Sequence, residues 1–210
     1  MLYKTHSHKL GLELFQTDET FRTLWTEIDD AISSISDEDI ITAFNDRKVR
    51  SIKDMSISKV VNKLIKDNLK GLDWKPESRI FLGSEFGNAW RLDFSKEHVS
   101  VEVGFNHGSD AAWNVMKPTL ASQINHIQKE VQTDLGVIVT ATPAMKAAGG
   151  FDNAIGTFET YVKMLVAMQN MVTVPLVIIG LEAPLTFRVE VERTYDENGS
   201  RRSRGCIVRI

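Results

Sequence analysis

The chain has 210 residues, 25 basic and 28 acidic side chains, a formal net charge of −3 and an isoelectric point near 6.0. That balance excludes a small, uniformly basic protein that coats nucleic acid, because many phosphate contacts demand a high isoelectric point. It leaves room for an enzyme that keeps metal-binding carboxylates and confines its basic groups to one cleft. A hydrophobic content of 42% and a charged content of 25% are ordinary for a globular chain, and the length suits a single domain over 1–210. Cys206 is the one cysteine, so no intramolecular disulfide can form and a reducing, cytoplasmic compartment is expected. No apolar run approaches the roughly 18–20 residues that span a bilayer, so no membrane partner is expected.

Taken in chain order, Leu10–Phe15 reads as a short strand. Phe21, Leu24, Ile28 and Ile32 recur at helical spacing and predict a helix over Glu19–Ile35. A short helix is expected over Asp37–Phe44, and a clearer one over Ser56–Lys70 with Gly71 as its C′ stop. From Ile80 the period changes: Ile80–Gly83, Trp90–Ser95 and His98–Phe105 read as a strand meander. A helix over Asp110–Gln128 carries Pro118 as an irregularity. Leu135–Thr140 is an apolar strand, Asn153–Met171 a long amphipathic helix, and Val174–Leu181 another apolar strand. Leu185–Thr194 and Arg204–Ile210, joined around Asn198-Gly199, carry the strongest short hairpin signal. This alternation predicts an α/β fold: a mixed sheet flanked by helices, with a C-terminal β-hairpin appendage over 185–210.

Charge is segregated. Residues 1–50 hold 6 basic and 10 acidic groups, whereas Arg193, Arg201, Arg202, Arg204 and Arg209 face only Asp196 and Glu197 in the tail. The run Arg201, Arg202 and Arg204 just past the predicted turn is a candidate DNA-phosphate contact. Lys117 and Lys129 are weaker candidates for the same work. His6 and His8 read as exposed histidines rather than metal ligands.

The chemistry-bearing segment is Trp90–His107. Alternation puts Val99, Val101, Val103 and Phe105 on one strand face and Ser100, Glu102, Gly104 and Asn106 on the other. If the two strands pair, Asp93 and Glu102 approach each other. Adjacent carboxylates suit Mg²⁺, which takes one or two of them, keeps waters and adds a substrate phosphate. Spacing alone favours the plainer reading, a strand-end Asp93 and a solvent-facing Glu102, because acid pairs nine residues apart are common.

Asp93 and Glu102-Val103-Gly104-Phe105 resemble the BglII/BstYI branch of the PD-(D/E)XK restriction endonucleases, in which an Asp lies nine residues before the Glu of a Glu-Val-Gln-Phe strand. Ser7-His8-Lys9-Leu10-Gly11-Leu12-Glu13, Asp134-Leu135-Gly136-Val137, Val174-Pro175-Leu176-Val177 and Arg202-Ser203-Arg204-Gly205-Cys206 extend the likeness in the same order along the chain. The resemblance implies a homodimeric, Mg²⁺-dependent type II endonuclease that cuts both strands of a short palindrome in double-stranded DNA. It further implies a site centred on GATC, 5′ overhangs, and a cognate DNA methyltransferase acting on the same sequence. Asp93 and Glu102 would bind the metal, with the Val103 carbonyl as a third ligand. Asn106 and His107, directly after the catalytic strand, and Asp152 and Asn153, after Gly149-Gly150, would contact DNA. For Asp152 and Asn153 the competing reading is helix N-capping.

Gly104 departs from the branch, which has Gln, and from the wider superfamily, which has Lys or Glu. Three explanations stand: Asn106 reaches back, Glu77 supplies the missing group, or the protein is a catalytically weak or inactive DNA-binding homologue. A nucleotide-binding enzyme built on Gly149-Gly150 lacks any P-loop or G-x-G-x-x-G pattern.

Overall fold

A computed structural model describes residues 1–46, 54–83, 90–123, 127–195 and 201–210, without the side chains of Thr194, Tyr195, Arg201 and Arg202. A six-stranded sheet forms the centre. Its strands are β1 (Tyr3–His8), β2 (Lys75–Arg79), β3 (Arg91–Lys96), β4 (Val99–Val103), β5 (Leu135–Ala141) and β6 (Leu176–Leu181), in the order β1-β6-β5-β4-β3-β2. β4, β5 and β6 run parallel, and β1, β2 and β3 pair antiparallel at the flanks. Strands in the centre of such a sheet are covered on both faces, which is why β5 and β6 are buried throughout.

Alternation assigns the two cores. Val99, Val101, Val103, Val137, Val139, Val177 and Ile179 point to one side. There they meet α2 (Glu19–Ser33), α3 (Asp37–Asn45) and α4 (Ser58–Gly71) through Leu24, Ile28, Ile40, Phe44, Val60 and Ile65. Ile138, Leu176 and Ile178 point to the other side, against α5 (Ala111–Ser122) and α7 (Phe158–Ala167). A short helix α6 (Pro143–Ala148) follows β5.

Local chemistry sets the ends. Asp18 caps α2 by accepting from the Thr20 and Phe21 N–H groups. Ser36 and Asp39 form a capping box on α3. α4 ends in a Schellman arrangement in which Trp74 N–H donates to Leu69 C=O and Asp73 N–H to Lys70 C=O. The left-handed residue is Asp73, at φ 62, so Gly71 belongs to the helix and is not the C′ stop.

Several expectations are corrected. Leu10–Phe15 is not a strand: α1 (Gly11–Thr17) is helical, and Lys9 and Leu10 make the left-handed turn that ends β1. The apparent alternation came from Leu10 and Leu14, which are exposed; the buried pair, Gly11 and Phe15, has helical spacing. The strand expected at Ile80–Gly83 lies earlier, as β2, and Ile80 and Phe81 instead pack with Leu92 and Ala121. α5 stops at Ser122 rather than Gln128. α7 starts at Phe158 rather than Asn153, because the Thr157–Thr160 capping box fixes the start there. Asp152 and Asn153 therefore do not cap it. Met164 and Met168 pack on the chain's own second core.

The tail forms β7 (Phe187–Tyr195) and β8 (Arg201–Arg209), a separate two-stranded antiparallel sheet as expected; the turn at Asn198-Gly199 lies outside the described residues. Asp37 holds its root by accepting from the Leu185 and Thr186 N–H groups and the Thr186 hydroxyl. Glu38 pairs bidentately with Arg209.

Candidate active site

The β3–β4 ladder stops at Phe94 opposite Val101. The next residues in register are Asp93 and Glu102, and here side chains replace the backbone pairing. Val103 N–H donates to Asp93 Oδ2 at 2.8 Å, and Asp93 N–H donates to Glu102 Oε1 at 3.2 Å. Each carboxylate thus holds the other's strand. Glu102 is 1% exposed, not solvent-facing, and Asp93 is half-buried.

α5 closes the site. Its Asn114 and Lys117, three residues apart, share one helical face. Lys117 Nζ donates to Glu102 Oε2 at 2.6 Å. Asn114 Nδ2 donates to the buried Tyr161 hydroxyl at 2.9 Å. That pair explains Gly104. A Cβ there would lie 2.2 Å from Tyr161 Oη and 2.9 Å from Asn114 Nδ2. The space of the absent side chain is filled from α5 and α7.

The site's electrostatics follow from burial. Burial, then the Asp93 charge, pushes Glu102 up to about 8, although Lys117 opposes the shift. Burial also raises Asp93 against the lowering influence of the Val103 N–H. Burial first, with the Glu102 charge adding to it, lifts Tyr161 to about 12, so its hydroxyl keeps its proton at neutral pH. A carboxyl whose folded-state pKa lies above its unfolded value binds its proton more tightly in the folded protein, so stability falls as pH rises between the two values. Metal-free protein is therefore expected to lose thermal stability between about pH 4.5 and about pH 8 relative to Glu102→Gln. Thermal melts in chelator measure this, and parallel curves for the two proteins would contradict it.

The other sequence candidates sort into three groups. Glu77 sits level with Asp93 on β2, but its left-handed backbone (φ 53) lifts it from the ladder. Its side chain is 54% exposed and lies 4.0 Å from Lys66. Among the described residues no three acids or histidines converge as a ready-made metal cage. Asn106, His107, Asp152 and Asn153 are exposed and come together: Gly156 N–H donates to the Asn106 carbonyl, Gly108 N–H to the Ala154 carbonyl, and His107 bridges Ile155. Asn106 is exposed on this loop surface, and the atoms nearest a Cβ at Gly104 belong to Tyr161 and Asn114. Arg204 is not a free cation, since it pairs with Glu192 directly across the hairpin at 2.6 Å. Arg201 and Arg202 lie on β8, with side chains outside the description.

Sequence reading missed Tyr161 and Asn114 and ranked Lys117 only as a weak phosphate contact. The available signal was the i, i+3 spacing of Asn114 and Lys117 on the first helix after the acidic strand.

The donor set fits a hard divalent cation. It consists of two converging carboxylates, and the Lys117 ammonium already supplies a positive charge against one of them. Two carboxylates leave room for the waters and substrate phosphate that Mg²⁺ prefers.

A family model described as restriction endonuclease BglII/BglIII matches residues 3–181. The crystal structure of restriction endonuclease BglII complexed with a DNA 16-mer is similar at a TM-score of 0.65 and 19% identity, covering 100% of both chains. Free BglII is similar at 0.52 and 16% identity, again with 100% coverage of both. No curated protein matches. The family match takes in all six strands of the central sheet and both site carboxylates. The chain belongs to the BglII/BglIII family of restriction endonucleases and is a type II site-specific deoxyribonuclease.

Proposed function

We propose that this single-domain chain, acting as a cytoplasmic homodimer, hydrolyses both strands of a short palindrome centred on GATC and leaves 5′ overhangs, with Mg²⁺ as its metal. The observation that carries the reading is the Asp93–Glu102 pair, set across the end of the β3–β4 ladder within the family-matched region. Asp93, Glu102 and the Val103 carbonyl would hold the metal. When bound, the cation supplies charge for the developing phosphoryl oxygens and lowers the pKa of a water. The chain's own part is positioning: Val103 N–H orients Asp93, and the Asp93 N–H orients Glu102.

The adjoining loops of Asn106, His107, Asp152 and Asn153 would read base edges. Asn pairs well with adenine, and His can meet guanine acceptors or phosphate. Arg201, Arg202 and Arg204 would meet the phosphate backbone. The Arg204–Glu192 pair limits the net charge that Arg204 brings. A two-fold protein matches a two-fold site, and a cognate methyltransferase would modify the same sequence and need not bind this chain.

Run-off sequencing of plasmid DNA after incubation with Mg²⁺ tests the proposal. Cuts at one GATC-centred palindrome, staggered to give 5′ ends, are expected. Specific DNA binding with no cleavage of any GATC-containing DNA would favour the second reading, an inactive homologue, which Gly104 alone supports.

A further inference from the structure

Lys117 enters the site from outside the β3–β4 hairpin. Its side chain is 13% exposed, and its ammonium lies against a carboxylate that is itself 1% exposed. Lysine is rarely this enclosed without a task, because leaving water costs the charged head several favourable contacts. Packing does not require it, since Ala111, Val115, Pro118 and Ala121 already supply the apolar contacts of α5. The helix is held close to the sheet: a Cβ at Gly136 of β5 would lie 2.9 Å from the Pro118 ring. That approach delivers the neighbouring Lys117 to Glu102. Asp93 feels the same positive charge. Position 104, just past the end of β4, cannot furnish a side chain for this role, because Tyr161 and Asn114 occupy the space there.

We propose that Lys117 is a catalytic residue of this nuclease, holding Glu102 in the metal-free protein and turning its ammonium to the scissile phosphate when metal and DNA occupy the site. The inference rests on the nuclease reading given above. In the hydrolysis, a water oxygen forms the new bond to phosphorus and the bond from phosphorus to a sugar oxygen breaks. The water loses a proton to solvent, and the leaving oxygen takes one up. Lys117 transfers no proton. It donates hydrogen bonds to the non-bridging oxygens, where the charge redistributes in the transition state. An ammonium with three donors on a four-carbon stem can keep Glu102 and still reach the phosphate.

The test uses the full chain, DNA carrying the site found by run-off sequencing, and single-turnover rates alongside DNA affinity measured in Ca²⁺. Lys117→Met is expected to cut roughly 100-fold more slowly at saturating Mg²⁺, with DNA affinity within about threefold of wild type. Lys117→Arg, which keeps the charge, should recover at least about tenfold of that loss. Lys117→Met cutting within about threefold of wild type would overturn the inference. So would a loss that excess Mg²⁺ abolishes, because Lys117 would then only tune metal affinity. If Lys117→Met does not fold, Lys117→Arg against Lys117→Gln carries the test, and equal rates for those two overturn the inference. Asp93→Asn runs in parallel. If it also cuts like wild type, the nuclease site itself is misplaced; if it is inert while Lys117→Met is active, only the role of Lys117 fails.

Discussion

Asp93→Asn is expected to lower the single-turnover cleavage rate by roughly 10²–10³-fold or more while DNA binding persists. The amide keeps the shape of the carboxylate, and its oxygen can still accept from the Val103 N–H, so the β3–β4 junction survives. What is lost is the negative charge that the proposed divalent cation would require from this side of the site. Glu102→Gln should do the same to the rate, because it removes the other carboxylate of the pair. Single-turnover kinetics and gel-shift titrations in Ca²⁺ separate rate from binding. An Asp93→Asn protein that cuts within about tenfold of wild type would remove Asp93 from the reaction.

Restoring a side chain at position 104 is expected to harm the protein. Gly104→Gln brings back the residue type of the resembling branch, yet its Cβ would press on the Tyr161 hydroxyl at 2.2 Å. Tyr161 is 2% exposed and tied to Asn114, so it has little freedom to yield. The expected cost is about 1–3 kcal/mol, with no gain in cleavage rate. Adding Tyr161→Phe, which removes the obstructing oxygen, should return part of that stability. Urea denaturation of the single and double variants measures both effects. A Gly104→Gln protein as stable as wild type and faster at cutting would show that the site can accept the substitution.

Much of the molecule was legible where one period dominates. The strand β4 follows from alternation, β5 and β6 from short continuous apolar runs, and the face of α2 from i, i+4 spacing. The pairing of Asp93 with Glu102 was legible for the same reason, because two alternating segments joined by a short turn can bring those positions level. Reading failed where exposed apolar residues imitate a period. Leu10 and Leu14 suggested a strand in what is α1. Asn153 suggested the start of a helix that Thr157 begins. The filling of Gly104 was illegible in principle. The glycine stood out as a departure, but Tyr161 lies 57 residues downstream and reaches it only because α5 and α7 pack on the same sheet face. Lys117 is similar: its meeting with Glu102 depends on how closely α5 approaches β5.

The most direct test of the account is the position of a divalent cation in crystals of the protein with its DNA site, located by the anomalous signal of Mn²⁺. The account predicts Mn²⁺ between the Asp93 and Glu102 carboxylates and beside the scissile phosphate, with the Lys117 ammonium reaching that phosphate. Mn²⁺ bound elsewhere, with Asp93 and Glu102 still joined only to their present N–H and lysine partners, would contradict it.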